Sequence, residues 1–449
     1  MNSLPRSIII IAILATLVSG AYSFYYQDRP RIDALGYDRI GWNLARGFGY
    51  IEEETNILNP EKDWAINRVG PGYQFFLAGI YALFGHHVWI VWILHAFLRG
   101  LTVILLFLLA ERLFKDYRSP TSILKSDFDR LPILATLLFG FSPDLIVVNG
   151  LLLTETLFLF LLVAALYLVL KLFSEKSGVT ALMAGLVLAA AILTRPTALL
   201  LIFVILGVFL FRREWKMSFL IMLFPVLLIG PWSFLMSNRH DMFILTTGVG
   251  GYDLWVGNSL RAEGGFEKTD EKLEARYSMS IAELDAFSKK KYFEFLASHP
   301  FRFLELQWRK TALYFSLIRP GGYWVHLIRH PWQRFLTLFS SFLWTSVLFI
   351  GGAAGLWLFF KKRKDILSRS FLAFALLQPI AVIPIIVETR YRYPLYPFLA
   401  IFAAFFLVNR PYSKKVLIIV AALFFIFAGY DFLSNAREIL TKIESVLPL

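Results

Sequence analysis

The chain has 449 residues, of which 57% are hydrophobic, 17% aromatic and only 17% charged, with a net charge of +13 at pH 7. Soluble domains carry about 25% charged residues, and the repeated apolar runs of roughly 15–25 residues exclude both a soluble globule and an outer-membrane barrel, whose strands alternate instead. The absence of cysteine excludes disulfides, thiolate metal sites and thiol catalysis, while the basic balance fits cytoplasmic loops and lipid contact without nucleic acid.

The expected fold is an all-α polytopic membrane protein in one domain, 1–449. Apolar runs occupy roughly 8–26, 71–85, 88–110, 131–148, 151–173, 179–194, 197–211, 217–236, 336–360, 369–387, 394–409 and 415–433. The first lacks a convincing cleavage site and reads as an uncleaved span. Residues 179–211 as one helix would reach about 50 Å, against a hydrocarbon core of about 30 Å. They must fold back, and Arg195-Pro196 is the natural break. Residues 131–173 must likewise turn, near Asn149–Glu155.

Lysine and arginine in short loops set the orientation. The basic loops 111–130, 171–176, 212–216, 361–369 and 410–415 belong on the cytoplasmic side. They cannot all lie there if 71–85 crosses the membrane. That run is only about 22 Å long as a helix, so it is expected to be re-entrant or interfacial on the outer face. About 11 spans remain in the plasma (inner) membrane, with the N-terminus cytoplasmic and the C-terminus external.

Two large loops are then extracytoplasmic. The first, 27–70, holds Asp33 and Arg68, and Asp33 opens an amphipathic helical segment with Tyr37, Ile40, Trp42, Leu44 and Ala45 among its apolar positions. The second, 237–335, has a turn-rich stretch, Gly248–Asn258, followed by helical patterns over 281–298 and 301–318. In the latter, Phe301, Leu304, Trp308 and Leu313 fall near one face and Arg302, Glu305, Arg309 and Lys310 elsewhere, as in a helix lying in the headgroup layer. This topology puts Asp33, Arg68, Glu155, Arg195 and the segment Glu388-Thr389-Arg390-Tyr391-Arg392 at external span ends.

An acidic residue just after the first span, followed by Tyr37 and Leu44-Ala45-Arg46-Gly47-Phe48-Gly49, resembles the first external loop of the GT-C glycosyltransferases. The protein-mannosyltransferase-like branch (glycosyltransferase family 39 and the aminoarabinose transferases) is the nearest in pattern. Arg68-Val69-Gly70-Pro71-Gly72-Tyr73, Leu152-Leu153-Thr154-Glu155, Leu193-Thr194-Arg195-Pro196 and Glu388-Thr389-Arg390-Tyr391-Arg392-Tyr393-Pro394 fit the same pattern, in order and spacing, over nearly the whole chain. Two departures are Ala34, where many relatives carry a second acid, and a chain end without the large soluble domain of some members.

The resemblance implies transfer of a sugar from a polyprenyl-phosphate donor to a lipid, protein or polysaccharide acceptor outside the cytoplasm. It makes Asp33 the catalytic base, with Arg68, Arg195, Arg390 and Arg392 binding the donor phosphate. Glu155, Tyr37, Tyr73, Glu388, Tyr391 and Asn258 would line the site. Some relatives use a divalent metal. Here His86-His87 and His240-Asp241 form no ligand set, and no metal or other cofactor is expected.

The chemistry suits these residue types. A lipid phosphate leaves with little protonation, so one carboxylate suffices to take the acceptor proton, whereas glycosidases need two. The planar guanidinium fork suits the growing phosphate charge, and a carboxylate among arginines stays ionised. Asp38 is a rival for the role of base. Each arginine, sitting at a span end, also has a plain reading as a lipid anchor. A lipid-linked-sugar flippase or secondary transporter is the alternative from another class, and a ligase or polymerase using diphosphate-linked oligosaccharide is a third. No internal repeat supports the transporter reading.

Overall fold

A computed structural model describes residues 4–115, 125–265, 269–318, 330–409 and 414–436. Parts of two basic loops (116–124 and 410–413), residues 319–329 of the second large loop and the C-terminal stretch 437–449 lie outside the described residues. The described residues fold into helices and connecting loops.

In chain order the helices are α1 (Arg6–Tyr26), α2 (Asp33–Ala45), α3 (Gly72–Phe84), α4 (Val88–Phe114), α5 (Lys125–Gly140), α6 (Pro143–Asn149), α7 (Thr154–Glu175), α8 (Gly178–Thr194), α9 (Leu199–Phe211) and α10 (Trp215–His240). There follow α11 (Gly250–Gly257), α12 (Asp270–Ser278), α13 (Ile281–Ser298), α14 (Pro300–Phe315), α15 (Pro331–Ser346), α16 (Gly352–Lys362), α17 (Ile366–Val382), α18 (Tyr396–Val408) and α19 (Lys414–Ser434). Among the described residues seven helical stretches, one of them running through α15 and α16, are long and apolar enough to cross a membrane, or eight if the bent pair α5–α6 is one span. The chain is a multi-pass membrane protein. Helices α8, α9 and α17 are apolar but shorter, and with them each of the expected spans has a helix.

Burial sorts the spans. The span of α7 and the one running from Thr389 through α18 are 72% and 89% buried, whereas α1, α10 and α19 are 33%, 28% and 22% buried. The first two form the inside of the bundle. The other three present Ile10, Leu17, Phe219, Phe234 and Ile418 outward, which is stable only against lipid.

The two ends of the bundle differ in chemistry. At one end Arg112 of α4 pairs with Glu175 of α7 at 3.1 Å, and Lys176 pairs with Glu214 at 3.0 Å. At the same end Arg363 donates to the Leu113 carbonyl at 3.2 Å and Lys362 to Asn409 Oδ1 at 2.9 Å. The basic loops meet there. The C-terminal ends of α1 and α8 and the N-terminal end of α7 all lie at the opposite end. Helix α3 begins and finishes at that opposite end: Gly72 abuts Leu193 and Thr194, and Tyr81, near its last turn, reaches Asp38 of α2.

Four features depart from the sequence-based expectations. The run 131–173 turns near Leu151–Leu153 as expected, but it is also broken by 53° between α5 and α6. A break inside an apolar layer strands the last carbonyls of α5. Arg99 of α4, 4% exposed, donates to the carbonyls of Gly140 at 2.8 Å, Phe139 at 3.4 Å and Ser142 at 3.5 Å. A charged side chain inside the helical layer thus satisfies the broken span. The glycine-rich stretch Gly248–Asn258 contains helix α11, and its glycines serve close packing, with Gly251 against Asp285 and Gly257 against the Ile385 carbonyl.

Helix α14 presents Phe301, Leu304 and Trp308 outward as expected, but it stops at Phe315. There Arg392 draws the Ser316 carbonyl into a 2.6 Å hydrogen bond. Lys310, expected on its polar face, is fully buried and donates to Asn258 Oδ1 at 2.6 Å and to the Ile385 carbonyl at 2.9 Å.

Candidate active site

Between α1 and α2 the chain reverses through Gln27 and Ile32, both with positive φ. Ile32, at φ 53°, holds a backbone conformation that a β-branched residue rarely adopts. Strain of this kind persists where the surroundings impose it, often at functional sites. The next residue is Asp33, the first of α2.

Asp33 is gripped from both sides. Its Oδ1 accepts from Arg68 Nη1 at 3.0 Å and its Oδ2 accepts from Arg390 Nη2. The remaining donors of Arg68 fork onto Glu52, Nε at 2.8 Å and Nη2 at 2.5 Å. Arg390 Nε lies 3.9 Å from Glu155 Oε1, which forms an ion pair with Arg195 Nη1 at 2.9 Å. Arg195 also donates to Thr154 Oγ1 at 3.3 Å. The result is one row of alternating charge, Glu52–Arg68–Asp33–Arg390–Glu155–Arg195, built from four separate parts of the chain. The Tyr391 ring supports it, 5.3 Å from the Arg195 guanidinium and 5.5 Å from that of Arg390.

Two glycines make the row close-packed. A Cβ on Gly70 would sit 2.1 Å from the Leu193 carbonyl oxygen, so glycine there lets the Arg68 segment lie against the end of α8, next to Arg195. On Gly36 it would meet Arg68 Nε at 2.5 Å, because that guanidinium crosses the bare face of α2 on its way to Asp33.

Exposure sets Asp33 apart within the row. The Asp33 side chain is 27% exposed, against 14% for Arg68, 10% for Arg390, 7% for Arg195 and 1% for Glu155. A water-borne group therefore meets Asp33 first. Burial opposes the charge on Arg68, but the hydrogen bonds and charge of Glu52, with the charge of Asp33, outweigh it and raise its pKa. Burial, then the charge of Asp33, holds the Tyr37 phenol well above its usual pKa, so Tyr37 acts as a neutral wall.

The remaining candidates divide. Tyr37 and Tyr73 meet edge-on at 5.7 Å below the row, and Tyr73 is tied through its hydroxyl to His95 Nε2 at 3.2 Å. Half-buried Glu388 precedes Arg390 and accepts the Tyr391 amide at 2.9 Å through its carbonyl. Arg392 is not brought to the row. It is fully buried in the bundle, where it holds the Ser316 carbonyl and its charge reaches Asp144. Asn258 is also elsewhere, tying α11 to α14 and to the Pro384 and Ile385 carbonyls. Asp38 lies on another face of α2, accepting from Tyr81 at 2.5 Å and paired with His86 at 2.9 Å.

Ionisable residues also lie inside the bundle. Besides Arg99, Asp144 is buried within the bundle, accepting from Tyr396 at 2.6 Å and from Ser341.

Sequence reasoning missed Glu52 and Asp63. Glu52 belongs to the run Glu52-Glu53-Glu54, which has the look of a solvated loop. Asp63 organises that loop by accepting the amides of Glu52 at 2.7 Å, Glu53 at 3.0 Å and Ala65 at 2.8 Å. Among the described residues no group of three or more His, Cys, Asp or Glu could hold a metal ion. In the row, arginines separate the carboxylates.

Known proteins resemble parts of this chain. The sequence model of the dolichyl-phosphate-mannose-protein mannosyltransferase family matches residues 68–234, a stretch that includes Arg68, Glu155 and Arg195 but not Asp33 or Arg390. Among solved structures, that of ArnT from Cupriavidus metallidurans bound to undecaprenyl phosphate superposes with a TM-score of 0.51 at 13% identity, over 95% of this chain. The chain spans 64% of that structure's length. No curated protein sequence matches the chain. Family match and superposition together show a GT-C-fold membrane protein, similar to the dolichyl-phosphate-mannose-protein mannosyltransferases and to ArnT.

Proposed function

We propose that the chain is a glycosyltransferase that moves a sugar from a polyprenyl-phosphate donor to an acceptor hydroxyl, with inversion, on the extracytoplasmic side of the plasma membrane. The observation that carries this reading is the Asp33 clamp: the one partly exposed carboxylate of the row, held by two arginines at a bundle end away from the basic loops. The basic end would face the cytoplasm, leaving Asp33 outside and the N-terminus inside. ArnT is a protein of the same fold bound to undecaprenyl phosphate, which supports a lipid phosphate as the donor's carrier.

The clamp couples the two halves of the reaction. As the acceptor oxygen attacks the anomeric carbon, its proton passes to Asp33. The bond from that carbon to the phosphate oxygen breaks, and the electron pair stays on the phosphate. Asp33 loses its negative charge as the phosphate gains one. Arg68 Nη1 and Arg390 Nη2, no longer held by the Asp33 charge, turn to the phosphate, while Glu52 and Glu155 keep the rest of the two guanidinium groups in place. The row holds three arginines and three carboxylates, so it is formally neutral before and unbalanced by one positive charge afterwards, when the phosphate needs it. Stabilisation of developing charge in this way is worth several kcal/mol. Direct displacement by the acceptor oxygen from the face opposite the leaving phosphate, with Asp33 taking only the proton, inverts the anomeric centre.

The test is transfer itself. Purified protein incubated with undecaprenyl phosphate carrying labelled mannose, glucose or arabinose, and with lipid, protein and polysaccharide acceptors, should consume one donor and label one acceptor class. If the lipid crosses a liposome bilayer without acceptor and no sugar is transferred, the chain is a flippase instead. A finer outcome concerns Gly36→Ala. Alanine favours the helix by up to about 1 kcal/mol, so the melting temperature should hold or rise. Transfer should nonetheless fall about tenfold, because the new methyl displaces Arg68. A fall in both would mean that Gly36 serves only the packing of α2.

A further inference from the structure

Helix α11 is fastened beside the charged row. The Thr247 hydroxyl donates to the carbonyls of Ile66 and Arg68, at 2.8 Å each, and the Gly248 amide donates to Ile66 at 2.9 Å. Tyr252, Trp255 and Val256 turn into an apolar cluster against which Tyr391, the ring supporting the row, also packs. Asp253, in the first turn of α11, is thereby placed where its charge is felt by both Asp33 and Tyr391.

Asp253 differs from the other acids around it. Glu52, Asp33 and Glu155 each face an arginine. Although the residue as a whole is half-buried, Asp253 Oδ1 has no exposed surface and no hydrogen-bond partner among the described residues. The charged groups on the elements packed around it are engaged elsewhere. Lys272 Nζ donates to the Val256 carbonyl at 3.2 Å, Arg276 lies 4.0 Å over the Trp64 ring, and Asp285 pairs with Lys289 at 2.6 Å. A covered carboxylate without a cation favours its protonated form. Burial first, then the charge of Asp33, raises its pKa to about 7. Around neutral pH a large share of the molecules thus carry a protonated carboxyl beside the row, and its Oδ1 has no hydrogen-bond partner among the described residues.

We infer that Asp253 donates a hydrogen bond from its carboxyl to a hydroxyl of the transferred sugar, while Arg68 and Arg390 hold the phosphate. This rests on the transferase reading above, and binding and transfer separate the two. The probes are undecaprenyl phosphate alone and the same lipid carrying mannose, glucose or arabinose, titrated into the purified full chain. Asp253→Ala should weaken the preferred sugar-bearing lipid about three- to tenfold, the range for one neutral hydrogen bond, and leave the bare lipid unchanged. Asp253→Asn keeps a donor and should restore most of that loss. In the wild type the affinity for sugar-bearing lipid should fall as pH rises through about 7, because the donated proton is lost. In Asp253→Asn that fall should be absent.

Equal affinities of wild type and Asp253→Ala, equal losses for both lipids, or a wild type that does not distinguish sugar-bearing from bare lipid would each overturn the assignment. A chain that distinguishes the lipids through Asp253 yet transfers no sugar refutes the transferase reading and leaves this one standing. Transfer that is indifferent to Asp253 does the reverse.

Discussion

Asp33→Asn should lower kcat by about 10²–10⁴-fold, the usual contribution of a positioned acid or base, without weakening the donor. The amide cannot take the acceptor proton. It also removes one negative charge from the row, so bare undecaprenyl phosphate should bind as tightly as to the wild type or more tightly. That pairing of lost turnover with retained or improved binding separates a base from a structural acid. A structural acid, once removed, would loosen the two arginines and weaken the lipid as well. Single-turnover transfer and lipid titration on the same preparation decide it, and full transfer in Asp33→Asn removes Asp33 from the chemistry.

The second large effect belongs to Arg390, whose guanidinium reaches Asp33 through Nη2 and faces Glu155 through Nε. Lysine keeps the charge but has one nitrogen, and it cannot span both carboxylates. Arg390→Lys should therefore cost about 10²–10³-fold in kcat, as removal of a donor from a charge-stabilising site does, with the loss in the chemical step. Glu155 is buried and keeps Arg195 at 2.9 Å, so the variant should still fold. Unchanged kcat with a raised KM would make Arg390 a plain anchor for the lipid.

Much of this site can be read in the linear chain, for a specific reason. Asp33, Arg68, Glu155, Arg195 and Arg390 all sit next to apolar runs, and run length and loop charge alone send those ends to one side. What the chain does not display is direction around a helix. Arg390 and Arg392 look equivalent in sequence, but they lie in a 3₁₀ turn, where two residues are about 240° apart. One faces the row and the other the bundle interior. Asp33 and Asp38 are separated likewise, by about 140° on α2.

The fold shows the same division. The breaks at Arg195-Pro196 and near Leu151–Leu153 follow from span length, whereas the 53° bend between α5 and α6 depends on Arg99 in another helix. The glycines of 248–258 suggest turns until Asp285 and the Ile385 carbonyl are seen against them. Glu52 looks solvated until Asp63 folds its loop over Arg68.

A structure of the chain with undecaprenyl phosphate bound tests the central claim most directly. The phosphate should lie within hydrogen-bonding distance of Arg68 or Arg390, beside Asp33. A phosphate held instead by the basic loops at the opposite end, near Lys362 and Arg363, would contradict it.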